Sequence, residues 1–111
     1  MEKIMTFEGF SKVDLRVGTI VEVNDFPEAR NPSYQILIDF GPLGIKKSSA
    51  QITTLYSKEE LLDRQIVAVV NFAKKQIGKF MSECLVIGAV DNKDVYLLSP
   101  EVRVKNGSTV V

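Results

Sequence analysis

The chain contains no histidine, no tryptophan and a single cysteine among its 111 residues. Without histidine, the commonest general base near neutral pH and the commonest zinc ligand are both missing. Histidine-based triads are thereby excluded, and a metal site would have to be built from carboxylates. A serine or cysteine nucleophile would need lysine as its base, an uncommon arrangement. No acid–base constellation of the kind catalysis requires is visible, so the expectation is a protein that binds but catalyses nothing, with neither metal nor cofactor. One cysteine cannot form an intrachain disulfide, which suits a reducing compartment. No apolar run approaches the ~18 residues of a membrane span. The opening MEKIMTFEGF lacks the apolar stretch and cleavage site of a signal peptide. A cytoplasmic protein that does not insert into membranes is expected. Net charge is absent too, since 14 basic side chains balance 14 acidic ones, and with it goes any whole-molecule electrostatic argument for nucleic acid.

What is present describes one globular domain spanning residues 1–111, 45% hydrophobic and 25% charged. Between residues 13 and 23 the odd positions read Val13, Leu15, Val17, Thr19, Val21 and Val23, the period-two pattern of a strand with one buried face. Gly18 in its middle predicts a bulge or sharp bend. FPEARNPS at 26–33 reads as a loop. YQILIDF at 34–40 alternates again, placing Ile36, Ile38 and Phe40 on one face, and GPLG at 41–44 turns the chain into a hairpin partner. Ser57 and Glu60 form a capping box, predicting one or two helical turns. QIVAVVNF at 65–72 reads as a central strand, and residues 85–90 and 95–98 as a hairpin turned by DNKD at 91–94. The order predicts an all-β, OB-fold, five-stranded Greek-key barrel with a short helix between strands 3 and 4.

Charge is distributed unevenly along the chain. Residues 1–45 carry four basic and seven acidic side chains, whereas 46–80 carry seven basic and three acidic. Within that basic stretch, KKSSAQ at 46–51 and NFAKKQIGKF at 71–80 contain no acid. Their lysines are interleaved with Ser, Gln, Asn and Phe, residue types that bond phosphate or stack bases. The alternative is a merely hydrated barrel surface.

Three segments resemble the tRNA-binding domain family, whose OB-fold modules are appended to some aminoacyl-tRNA synthetases and also occur alone. DLRVGTI at 14–20 is similar to its D-x-R-x-G-x-I signature, KKSSAQIT at 46–53 to its second loop, and VNFAKKQIGKFMSE at 70–83 to its third motif. FPEAR at 26–30, IDFG at 38–41, SSAQIT at 48–53, VAVVNF at 67–72 and P-x-x-x-V-x-N-G at 100–107 resemble the free-standing CsaA type, an export-related chaperone. Ala73 replaces the proline usual in synthetase-linked members, and Ser82-Glu83-Cys84-Leu85 stands where they read S-x-G-M; the second departure favours the chaperone type. The resemblance implies an OB barrel with terminal extensions, assembled as a homodimer. Its partners would be unfolded or pre-export polypeptides, in extended, partly apolar and basic-to-neutral segments, together with the export machinery or tRNA.

The candidate tRNA- or RNA-binding residues are Lys46, Lys47, Ser48, Ser49, Gln51, Asn71, Lys74, Lys75, Lys79 and Ser82. The candidate polypeptide-binding residues are Phe72, Ile77 and Phe80, with at least one ring expected in the core. Asp14 and Arg16 carry opposite charges two residues apart, which favours a local pair over a phosphate contact. The Asn71 amide either binds RNA or satisfies loop backbone groups. Glu83 would anchor Lys74, Lys75 or a base edge and not touch phosphate, and Cys84 would be a small core residue. The apolar Val110 and Val111 at the C-terminus fit an interface.

Overall fold

A computed structural model describes residues 3–111. After a short helix α1 (Phe7–Ser11), the strands are β1 (Leu15–Asp25), β2 (Tyr34–Asp39), β3 (Ile45–Ala50), β4 (Gln65–Val69), β5 (Lys75–Ile77), β6 (Phe80–Ser82), β7 (Leu85–Val86), β8 (Gly88–Asp91), β9 (Asp94–Leu97) and β10 (Thr109–Val110). Helix α2 (Lys58–Leu61) lies between β3 and β4. The main sheet runs β3-β2-β1-β4-β7 with every pair antiparallel, and β10 adds to β1. The return of β4 to lie beside β1 is the Greek-key step. The result is a nearly closed five-strand antiparallel barrel of OB type. Among the described residues no helix is long and apolar enough to cross a membrane.

The hairpin β2–β3 forms as its alternation predicts, with Ile36, Ile38 and Phe40 fully buried on one face. Burying side chains of this size contributes about 1.5–3 kcal/mol each. Around them pack Ile20, Ile52, Leu61, Ile66, Ala68 and Cys84. Helix α2 starts at the expected capping box: Ser57 Oγ accepts from the Glu60 N–H, and the Glu60 carboxylate accepts from the Ser57 N–H. That bond is the main cause of the lowered Glu60 pKa. The predicted 85–90 strand is divided at Ile87 into β7, which pairs with β4, and β8, which pairs with β9. The tight turn between β8 and β9 uses positive φ at Asn92 and Lys93, 53° and 76°. The fourth predicted strand, residues 65–72, stops at Val69, leaving Phe72 beyond it. Helix α1, the strands of the β5–β6 hairpin and β10 are not predicted by the sequence because each is five residues or shorter, too brief for periodicity to register.

Strand β1 departs from the expected single buried face. The register shift falls between Ile20 and Glu22, so the bulge is at Val21 and not at Gly18. Before it, Ile20 and Gly18 face the barrel core, while Val17 and Thr19 are buried beneath the C-terminal segment. There the Gly107 N–H donates to the Val17 carbonyl and the Thr19 hydroxyl to Asn106 Oδ1. Val13 and Val21, expected inside, are exposed. Gly18 serves close approach: a Cβ there would lie 2.5 Å from Ile38 Cγ2 and 2.8 Å from the Phe40 ring. Gly18→Ala is expected to lower folding stability by about 2 kcal/mol through overpacking, measurable as a reduced urea midpoint. An unchanged midpoint would show that the two side chains have room to yield.

Cys84 is buried in the core, and burial pushes its thiol up to about 12. The unfolded chain ionises this group from its ordinary value of 9.0, so between pH 9 and 12 it binds fewer protons than the folded chain. The stability contributed by the buried thiol therefore falls as pH rises through that window, by up to ~1.4 kcal/mol per pH unit. Urea unfolding followed upward from about pH 8 should show the wild type losing stability faster than Cys84→Ala. Parallel pH profiles would contradict this account.

Candidate functional site

The barrel does not close by a ladder. Beyond β2, the backbone of strand β3 is clamped at Lys47, whose carbonyl accepts from the Glu83 N–H at 2.7 Å and whose N–H donates to Glu83 Oε1 at 2.9 Å. Past this clamp no ladder joins β3 to β7, and a groove of about 610 Å³ opens. Its apolar floor includes Ile52, Leu85, Val86, Val95 and Leu97. The walls come from the β1–β2 loop, with Arg30, Asn31 and Ser33, from the end of β3, with Ser49 and Gln51, and from β5, with Lys75, Gln76 and Ile77. A second cavity of about 250 Å³ shares Lys75 and Leu85 with the first and adds Phe72, Ala73, Ser82 and Cys84. Among the described residues no aspartate or glutamate lines either cavity.

This arrangement gathers Ser49, Gln51, Lys75 and Ile77 in the groove and Phe72 and Ser82 beside it. Phe72 is 57% exposed, whereas Phe80 is buried. The Phe80 ring packs on Phe26 at 5.3 Å between centroids, and Lys47 Nζ lies 5.6 Å from its centre. Phe80 is therefore a core anchor of the β5–β6 hairpin and not a ligand-facing ring. Ser48 is also core, its hydroxyl donating to the Cys84 carbonyl at 3.0 Å. The five lysines do not all enter the groove: Lys75 lines it, whereas Lys47 and Lys79 lie about Phe80 and Lys74 lies on Glu83. Lys46 and Lys47 are neighbours on β3 and alternate to opposite sides. Lys74 pairs with Glu83 Oε2 at 3.6 Å, as expected of Glu83, and Lys79 lines a separate hollow with Phe26, Glu28, Gln35 and Phe80.

Asn71 spends its amide on the backbone: Oδ1 accepts from the Asp14 N–H at 3.0 Å and Nδ2 donates to the Lys12 carbonyl at 2.6 Å. Arg16 is structural as well, donating to Asp14 Oδ1 at 2.6 Å and to the Gly107 carbonyl at 3.0 Å. The Asp14 carboxylate holds its guanidinium above the usual arginine value. Arg30, Asn31, Gln76 and Leu85 line the groove but were missed in the sequence. The signal for the first two was available, because Pro27 and Pro32 frame Arg30 and Asn31 as a constrained loop beside a strand start. Among the described residues no cluster of carboxylates and cysteine could hold a metal ion.

Comparison with known proteins agrees with this geometry. Residues 15–109 match the family model described as "Putative tRNA binding domain". The methionine–tRNA ligase of Pyrococcus furiosus is 40% identical over 106 residues, 96% of this chain but 14% of the ligase. The chain thus spans about one seventh of the length of that relative. Two solved structures are similar over nearly the whole of both chains. The chaperone CsaA from Bacillus anthracis has a TM-score of 0.93 and 47% identity, covering 98% of this chain and 100% of that one. The CsaA chaperone protein from Picrophilus torridus has a TM-score of 0.92 and 48% identity, covering 97% and 100%. Barrel, signature residues and alignment concur, and the chain belongs to the tRNA-binding domain family.

Proposed function

We propose that this chain is a single-domain, cytoplasmic, chaperone-type binding protein that holds extended segments of unfolded or pre-export polypeptides in its groove and catalyses no reaction. The observation that carries the reading is the groove itself. An aliphatic floor lies open to solvent between walls rich in side-chain amides and hydroxyls, with exposed Phe72 in the adjoining hollow. A floor of this kind takes apolar side chains, and the amide-rich walls bond main chain without selecting a sequence. The likeness to two CsaA chaperones over their full lengths supports it, and the export machinery is the partner class it implies. A second reading, tRNA binding, is favoured by the family match and by Arg30 and Lys75, cations with no ion-pair partner among the described residues.

Titration of a labelled unfolded peptide and a labelled tRNA at two salt concentrations separates the readings. Peptide capture by apolar burial should change little with salt, whereas RNA held by phosphate contacts should weaken steeply. Leu85→Asp, at a half-exposed position shared by both cavities, is expected to lower peptide affinity about tenfold or more with little loss of stability. Unchanged peptide affinity in that variant would remove the groove from the reading.

We further propose a homodimer formed through the terminal segments. Met5, Phe7 and Phe10 at one end and Val102, Val104 and Val111 at the other are exposed apolar side chains, with Phe7 96% exposed. Truncating the C-terminus would be a poor test, because Asn106 and Gly107 are bonded into β1 and β4. Phe7→Asp should instead yield a monomer in sedimentation equilibrium with an unchanged melting temperature. A variant that sediments as the wild-type dimer would rule α1 out of the interface.

A further inference from the structure

Arg30 and Lys75 enter the groove from different walls, one on the β1–β2 loop and the other on β5. Among the described residues neither forms an ion pair and no carboxylate lines the groove. A ligand that covers the aliphatic floor displaces water beside both cations, which strengthens their attraction for an anion relative to open surface. The ligand best matched to the groove therefore carries negative charge among apolar groups.

Its polymer class follows from the floor. No aromatic side chain lines the groove, so nucleobases find no stacking platform there, an interaction that is otherwise worth ~1–3 kcal/mol per base. Branched aliphatic side chains do find complementary surface, and Asn31, Gln51 and Gln76 supply amides of the kind that bond peptide main chain. We propose that the groove selects polypeptide segments in which a carboxylate is flanked by aliphatic side chains, with Arg30 as the residue that reads the carboxylate. This rests on the polypeptide-holding function and specifies its preferred segment. It departs from the basic-to-neutral preference expected above, because the cations that face the groove stand without acids among the described residues.

Arg30 is suited to this task by its chemistry and its mounting. A guanidinium can donate two parallel hydrogen bonds to one carboxylate, which a lysine cannot. The loop that carries it is pinned at both ends, by Phe26 buried against Phe80 and by Tyr34, whose hydroxyl donates to the Tyr56 carbonyl at 2.9 Å. Within the loop, the Ala29 N–H bonds the Phe26 carbonyl and the Ser33 hydroxyl bonds the Asn31 carbonyl. Such a loop loses little conformational freedom when a ligand arrives. The guanidinium itself is exposed, so its replacement leaves the fold intact.

The test uses three capped, fluorescently labelled pentapeptides, Leu-Val-Glu-Val-Leu and its glutamine and lysine counterparts, titrated by anisotropy at low salt. The glutamate peptide should bind about tenfold tighter than the glutamine peptide, and the lysine peptide weakest. Arg30→Gln should bring the glutamate-to-glutamine ratio close to one, and Arg30→Lys should restore part of it. Equal binding of the first two peptides, a preference for lysine, or a ratio that survives Arg30→Gln would each overturn the proposal while leaving polypeptide holding in place. Failure of all three peptides to bind would overturn the holding function with it. Displacement of the glutamate peptide by a uridine oligonucleotide, at lower concentration than by unlabelled peptide, would reassign the two cations to phosphate and overturn it as well.

Discussion

Ile38 and Phe40 pack directly against the backbone of β1 because residue 18 has no side chain, and the barrel is organised around that contact. Strand β1 carries β4 on one edge and β2 and β10 on the other, so any displacement at Gly18 would be felt across the central ladders. Its other face is no less committed. Val17 and Thr19 lie under the C-terminal segment, and Asn106 Oδ1 accepts from both the Thr19 hydroxyl and the Gln65 amide. The Gln65 side chain also bonds the backbone of Val104 in both directions. A buried polar cluster of this kind is stable only when every member is satisfied, and among the described residues no buried side-chain nitrogen or oxygen lacks a partner.

The groove is a consequence of how the barrel is closed. A full ladder between β3 and β7 would hide both strand edges and leave only a smooth outer surface. Instead Lys47 and Glu83 join the two sides through a reciprocal pair of bonds, reinforced by the Ser48 hydroxyl on the Cys84 carbonyl, and the Glu83 carboxylate then also meets Lys74. Beyond that clamp β3 diverges, the β5–β6 hairpin supplies a second wall, and Phe80 against Phe26 fixes the hairpin in place. Glu83 is the one acid in the basic stretch between residues 71 and 85, and its role is to hold lysine backbone and side chain together. The same acid is thereby kept out of the groove lining, where it would have neutralised the site's field.

The sequence made the architecture legible because the barrel strands obey period two wherever one face is buried. Ile36, Ile38 and Phe40 show this without exception. The capping box at Ser57 was legible for a different reason: it is a local hydrogen-bond device that needs no tertiary partner. Strand β1 was misread in detail because a bulge and a docked C-terminal segment both act on it, and neither leaves a mark on local alternation. The candidate site was only partly legible. Runs such as Lys46-Lys47 look like a patch in one dimension, but adjacent residues on a strand face opposite ways, so the patch divides. Phe80 looked like Phe72 in the sequence; only its packing on Phe26 distinguishes a hairpin anchor from an exposed ring. Arg30 carried no periodic signal, since its position depends on where a loop of two prolines is pinned.

Several residues that carry the family likeness act outside the groove. Arg16 reaches across from Asp14 to the Gly107 carbonyl, Asn71 bonds the backbone at Lys12 and Asp14, and Gly18 makes room for Ile38 and Phe40. Gly107 belongs to the same assembly: it has φ of 89°, and a Cβ there would come within 2.5 Å of the Phe40 carbonyl oxygen. Together these residues tie the N-terminal segment, the end of β4 and the C-terminal segment to one strand. They define a scaffold, and a scaffold can be shared by a module of a tRNA ligase and by a chaperone without sharing a ligand. What distinguishes one such protein from another is then to be sought in the groove, at the β1–β2 loop, the β5 wall and the floor at Leu85, where Arg30, Lys75 and the aliphatic side chains are found.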